Sequence, residues 1–270
     1  MEISKSLFFD LASLSEASYA LFENVGDIKD LLIDEGFSST QADNLLSRWV
    51  VGPHVEDTNS DFSMTLFEGV NPSDGFVLAF RGTLGPGDYI TDVGDIVADG
   101  IALDQIVDLV NMWNWLNTTG DYAAAKLEVM AEETALLQIA SAAGAAAKDA
   151  YLTVLKLRND VVIDLPTNTV RTVVWEQSDI FFDDEKYKQG AGYGEQIAER
   201  GLTVVGHSLD GHLSAAFTRL FSSVGADSFS INGAGFGIVG ANGFGIVASD
   251  IAQVREVIKY NETGVLVDFF

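Results

Sequence analysis

The stretch that decides the fold reads Leu202-Thr203-Val204-Val205-Gly206-His207-Ser208-Leu209-Asp210-Gly211-His212-Leu213. Its first four residues form an apolar run that predicts a buried β-strand. After Asp210, apolar residues recur at helical spacing, which predicts an α-helix with Leu213, Ala216, Phe217 and Leu220 on its buried side. Ser208 therefore stands in a short turn between a strand and a helix.

A serine in such a turn is a candidate nucleophile. Its hydroxyl needs a base to take its proton and donors to stabilise the resulting oxyanion. A strand–turn–helix elbow lifts the hydroxyl above the sheet and places backbone N–H groups at the helix N-terminus, where negative charge is favoured. The turn is crowded, and it normally has small residues two before and two after the serine; Gly206 meets that requirement and Asp210 does not. An ordinary structural turn is the alternative interpretation.

Upstream of this stretch, the pattern predicts an antiparallel hairpin. Residues 62–70 alternate between apolar and polar, residues 71–75 (Asn-Pro-Ser-Asp-Gly) are a turn signal, and residues 76–80 form an apolar run. The second strand is predicted to be buried, and it ends in Arg81-Gly82-Thr83.

Nearer the N-terminus, residues 6–22 and 40–49 predict helices. The first has Leu7, Leu11, Leu14, Ala17, Ser18 and Leu21 on its apolar face, and the second has Thr40 as its N-cap.

The second half of the chain predicts an α/β fold with a mainly parallel sheet. Residues 170–174, 228–231 and 265–267 are predicted to be strands, and residues 249–259 predict a helix. Strands that alternate with helices favour parallel pairing.

Residues 88–158 have a helical pattern. Ile101, Ile106, Leu109, Val110, Trp113 and Leu116 form an apolar face, and residues 121–157 are rich in good helix formers, so two or three helices are predicted. We interpret residues of about 100–158 as a helical insertion within a single domain that spans residues 1–270. A lid over the site and a plain insertion are both compatible with this pattern.

Composition excludes several function classes. The 270 residues include 40 acidic and 15 basic side chains, a formal net charge of −25. Such a charge repels nucleic acid and anionic lipid, so any contact with a lipid interface would have to use apolar surface. Cysteine is absent, no secretion signal of the Sec type is recognised, and no apolar run is long enough to predict a transmembrane segment.

Three segments resemble the class 3 lipases, which are α/β-hydrolases. Residues 204–213 resemble the Gly-His-Ser-Leu-Gly-Gly elbow of that family, residues 79–83 (Ala-Phe-Arg-Gly-Thr) resemble its Phe-Arg-Gly-Thr/Ser segment, and residues 89–93 resemble its Trp-x-Thr-Asp-Leu stretch. The resemblance is strongest to secreted bacterial members. It implies an α/β-hydrolase fold, a mainly parallel sheet flanked by helices with a lid-like insertion, and a lipase or esterase that degrades lipids outside the cell.

The resemblance also implies roles for individual residues. Ser208 would be the nucleophile, and the oxyanion would be held by Thr83 and by the Leu209 N–H. Asp268 follows a predicted strand at the place of the catalytic acid of the family, with Asp250 as the alternative. Arg81 would be structural and pair with a buried carboxylate. The chemistry needs no cofactor, and a structural calcium ion is compatible with the resemblance.

The histidines of this chain do not match the family's position for the catalytic histidine. The family places it well after the serine, whereas the three histidines here are His54, His207 and His212. We therefore hypothesise that the chain is a truncated catalytic core whose base lies beyond Phe270. A catalytically silent hydrolase-fold protein that binds lipid or a partner, or a phospholipase A1, are the alternatives. The glycines of residues 233–237 are followed by no clear helix, which disfavours a dinucleotide site.

Overall fold

The structure is a computed structural model that describes residues 5–22, 26–55, 58, 60–81, 103–158, 160–164, 167–207 and 210–231. The helices in these ranges are α1 (Lys5–Ala17), α2 (Ile28–Asp34), α3 (Ser39–Leu46), α4 (Leu103–Asn117), α5 (Ala131–Ala143), α6 (Ala145–Leu155), α7 (Ser178–Phe181), α8 (Glu185–Lys188), α9 (Gly194–Arg200) and α10 (Asp210–Leu220). The strands are β1 (Trp49–Val55), β2 (Ser63–Gly69), β3 (Phe76–Arg81), β4 (Thr119–Gly120), β5 (Ala123–Val129), β6 (Val162–Asp164), β7 (Thr169–Gln177), β8 (Gly190–Ala191), β9 (Leu202–His207) and β10 (Asp227–Ile231).

The chain divides into two compact units. The first comprises Met1–Leu84, Trp115–Gly120 and Gly190–Gly235, and the second comprises Gly85–Asn114, Asp121–Gln189 and Phe236–Phe270. The single catalytic domain expected for residues 1–270 stays a prediction. In the described ranges, every helix is too short or too polar to cross a membrane.

The first unit contains a five-stranded mixed sheet in the order β1-β2-β3-β9-β10. β1, β2 and β3 pair antiparallel, and β3, β9 and β10 pair parallel. The predicted hairpin of β2 and β3 is confirmed, and all of β3 is buried as expected. The expected mainly parallel sheet is instead mixed among the described strands, because the hairpin supplies one antiparallel pairing and β1, which was not predicted, adds a second against β2.

Helices cover both faces of this sheet. Ala79 of β3 and Val205 of β9 lie in one row and belong to an apolar cluster with Leu11 and Leu14 of α1. The neighbouring residues in each strand point to the other face, where α10 packs against β3, β9 and β10. There the Phe80 ring centroid lies 6.3 Å from that of Phe217. The first unit is therefore a helix–sheet–helix sandwich of mixed α/β type.

The turn into β3 is fixed by contacts with the end of α9. Gly75 has a φ of 67°, and a Cβ there would meet the Arg200 carbonyl oxygen at 2.8 Å, so a side chain is excluded. The Arg200 guanidinium pairs with Glu68, donates to the Gly69 carbonyl oxygen at 2.7 Å and lies 4.6 Å from the Phe76 ring centroid. These contacts hold the start of β3 beside the start of β9.

The second unit has a three-stranded antiparallel sheet in the order β5-β7-β6. α5 and α6 form a helical hairpin, and Leu137, Leu155, Val161 and Val170 form its apolar core with the sheet. The strand predicted at 170–174 lies within β7. The prediction of helix throughout 121–157 is wrong for residues 123–129, because β5 pairs along its full length with the Val- and Thr-rich β7, and this pairing overrides the helix propensity of Ala, Leu, Lys and Glu.

The outer edge of β5 is closed by two asparagines of α4. The Ala125 N–H donates to Asn111 Oδ1 at 2.6 Å, and Asn111 Nδ2 donates to the Ala125 carbonyl oxygen at 2.8 Å. Asn114 Nδ2 also donates to the Ala123 carbonyl oxygen at 3.2 Å. Asn111 is 1% exposed, so its carboxamide takes the place of a neighbouring strand for buried backbone groups.

We expect Asn111→Ala to lower the free energy of unfolding by about 2–4 kcal/mol, because it leaves a buried N–H and a buried carbonyl without this partner. Urea unfolding followed by circular dichroism measures the change. Gln138→Ala, at an exposed position of α5, is the matched control and should change stability by less than about 0.5 kcal/mol. Equal stability of the two variants would show that the Asn111 pairing contributes nothing.

Candidate active site

The strand and the helix predicted around Ser208 are both present. β9 ends at His207 and α10 begins at Asp210. Ser208 and Leu209 occupy the two positions between them and lie outside the described residues. Val204 and Val205 are fully buried, and β9 lies between β3 and β10 in the sheet.

β3 brings a second segment to the same edge of the sheet. It runs parallel to β9, with Phe80 opposite Gly206. Arg81 and His207 are therefore the last residues of two neighbouring strands. The carboxyl edge of parallel strands is where α/β folds bind ligands. Thr83 follows Arg81 by two residues and lies outside the described ranges, as do Asp250 and Asp268.

The end of β3 is held from the α1 side by polar contacts. Ser18 is fully buried, and its Oγ lies within 3.4 Å of the Phe80 carbonyl oxygen. Arg81 is 1% exposed. Burial and the Glu16 carboxylate raise the pKa of Glu35, while attraction to Arg81 opposes this increase. The charge interaction between Glu35 and Arg81 is compatible with the structural role expected for Arg81, which stays a prediction.

The sequence pattern placed Ser18 on the apolar face of the first predicted helix and assigned it no hydrogen-bonding role. Its Oγ also donates to the Ser15 carbonyl oxygen at 2.7 Å. The signal that could have identified it is a serine in an otherwise apolar helical stripe, because a buried hydroxyl needs a hydrogen-bond partner.

His54 is not brought to the end of β9. It is a buried residue of β1, its Nδ1 lies 2.8 Å from Thr65 Oγ1, and its ring meets that of Phe22 edge-on. β2 and β3 lie between β1 and β9, which separates the His54 backbone from β9 by about 14 Å. An imidazole side chain is too short to cross that distance.

The other two histidines lie on either side of residues 208–209 in the chain. His207 is the exposed last residue of β9. His212 is in the first turn of α10 and is 1% exposed, so it is a buried residue of the helix–sheet packing. Burial, assisted by the positive charge of Arg219, lowers the pKa of His212 to about 4. His212 is therefore neutral at pH 7 and a weak base.

Asp210 is the first residue of α10. Within the described ranges, His, Asp and Glu side chains form no group of three that could hold a metal ion.

The chain matches no family model, no curated protein and no solved structure. The resemblance to class 3 lipases therefore depends on the motifs of residues 79–83, 89–93 and 204–213 alone.

The lowered pKa of His212 predicts a loss of stability in acid. Between its ordinary value of 6.5 and about 4, the unfolded chain binds a proton at this position and the folded chain does not. Unfolding free energy should therefore fall by up to about 3 kcal/mol as the pH drops through this range.

Urea unfolding of the native protein and of His212→Asn at several pH values between 4 and 7 tests this prediction. The carboxylates are the same in both proteins, so the difference in slope isolates His212. Parallel pH dependences would contradict the assigned burial of a neutral imidazole.

Proposed function

We propose that the chain is a serine carboxylic ester hydrolase of the α/β-hydrolase fold, related to class 3 lipases, that forms an acyl-enzyme on Ser208. The observation that carries this proposal is the two-residue connection from β9 to α10 at the carboxyl edge of three parallel strands. A nucleophile elbow requires this local architecture. Helices on both faces of the sheet add support.

The proposed chemistry begins with attack of Ser208 Oγ on the ester carbonyl. The oxyanion that forms would accept hydrogen bonds from the Leu209 N–H and from the Thr83 N–H and hydroxyl. The parallel pairing of β3 with β9 supports this assignment, because Thr83 and Leu209 each follow the carboxyl end of one of two neighbouring strands. Collapse of this intermediate expels the alcohol and leaves an acyl-enzyme, which water then hydrolyses.

Activation of Ser208 requires a base that accepts its proton. His54 is too distant from β9, and His212 is buried in its neutral form, so neither is assigned this role. Asp268 is proposed as the acid that would orient a catalytic histidine. The proposed substrates are acylglycerols, with phospholipid esters as the alternative, and they would be met at a lipid interface outside the cell. This chemistry needs no metal, and a structural calcium ion is compatible with it.

A catalytically silent hydrolase-fold protein that binds lipid or a partner is the second candidate. Asp210 favours it, because a carboxylate at the N-terminus of α10 opposes the development of negative charge at the turn. The positions of His54 and His212 also favour it.

Labelling with a fluorophosphonate separates these two candidates. The probe should react at Ser208, as mapped by peptide mass spectrometry, and Ser208→Ala should abolish the label. Hydrolysis of a short-chain p-nitrophenyl ester should fall by roughly 10³-fold or more in Ser208→Ala.

Asp210→Gly supplies a further comparison. If the hydrolase proposal is correct, removal of the carboxylate should increase labelling. Absence of label in both the native protein and Asp210→Gly, with both proteins folded by circular dichroism, would overturn the hydrolase proposal in favour of binding.

A further inference from the structure

The α5–α6 hairpin of the second unit has apolar residues on the side that faces away from its core. Leu137 and Leu155 are buried in that core. On the other side, large aliphatic side chains are exposed, among them Ile139 at 65% and Leu157 at 81%. Leu136 and Val154 are exposed as well. A helix that covers a core on one side normally carries polar residues on the other.

Small residues are also exposed on this hairpin. The exposed alanines of the hairpin are Ala131, Ala135, Ala142, Ala143, Ala145, Ala146 and Ala150. Because the alanine side chain is small, another helix could approach the backbones of these two helices closely.

The charge of this segment differs from that of the whole chain. Residues 129–158 contain three acidic residues, Glu132, Glu133 and Asp149, and three basic residues, Lys148, Lys156 and Arg158, so their net charge is zero. The whole chain has a net charge of −25. Two copies of so acidic a chain repel each other, and a neutral apolar segment is where that repulsion is weakest.

We propose that the outer face of the α5–α6 hairpin binds the same face of a second copy of this chain, in a two-fold arrangement of four helices. A lipid surface fits this face less well, because alanine gains little on transfer into lipid, whereas small residues permit close helix packing. The segment also has no net positive charge that would attract anionic lipid.

The charges of α6 are self-complementary in this arrangement. Asp149 is the fifth of the eleven residues of α6, and Lys156 is its C-cap, with helical backbone angles. The two residues are seven positions apart, so they lie on the same side of the helix about two turns from each other. When two copies of α6 cross antiparallel, Asp149 of each copy faces Lys156 of the other. The pair thus occurs twice in an isologous interface.

The experiment measures self-association of the full chain by sedimentation equilibrium. The native protein should show a monomer–dimer equilibrium, and Ile139→Glu should weaken it by roughly tenfold or more. Ile180→Glu is the matched control, because Ile180 is also an exposed isoleucine, at 72%, but lies in α7 outside the hairpin. It should leave the equilibrium unchanged.

Charge exchange tests the antiparallel crossing. Asp149→Lys and Lys156→Asp should each weaken dimerisation, and the double variant should restore it, since the pair is then reversed in both copies. Circular dichroism verifies that each variant is folded.

Several outcomes would overturn the proposal. A native protein that stays monomeric at all concentrations would do so, as would a dimer that Ile139→Glu does not weaken. A monomer that floats with phosphatidylcholine vesicles would assign the face to lipid instead. None of these measurements uses ester hydrolysis, so the outcome is independent of the function proposed for Ser208.

Discussion

The parallel pairing of β3 with β9 is the constraint on which the candidate site depends. Opposite the start of β9, Gly75 allows backbone contact with the end of α9, and the Phe76 N–H donates to the Gly201 carbonyl oxygen at 3.0 Å. At the other end, Phe80 pairs with Gly206. A strand shifted by one residue would turn its side chains to the opposite face, so these contacts also decide which helix covers which residue.

The strands and helix nearest Ser208 could be predicted from sequence because their signals are local. A continuous apolar run, a glycine before the turn and a helical pattern after it suffice for β9 and α10. The turn at residues 71–75 likewise marks the hairpin of β2 and β3. These patterns did not predict β1, and its antiparallel pairing with β2, added to that of the hairpin, made the sheet mixed rather than mainly parallel.

β5 shows where local signals fail. Its residues 123–129 favour a helix by composition, and only the partner strand β7, some fifty residues later, makes them a strand. The N-cap of α3 is a smaller example: Thr40 was expected, yet Ser38 caps the helix because Gln41 completes a capping box with it. The surroundings of His54 and His212 depend on packing between distant segments, and so neither was evident from spacing.

The asparagine pairing on β5 has a consequence for how copies of the chain meet. An unpaired sheet edge is a template on which strands of other chains add, and this route leads to aggregation and amyloid. Asn111 occupies the hydrogen-bonding groups of Ala125 from the side on which such a strand would dock. A side-chain carboxamide imitates a peptide group but cannot be extended into a further strand, so it ends the sheet at this point and protects the chain against polymerisation through this edge.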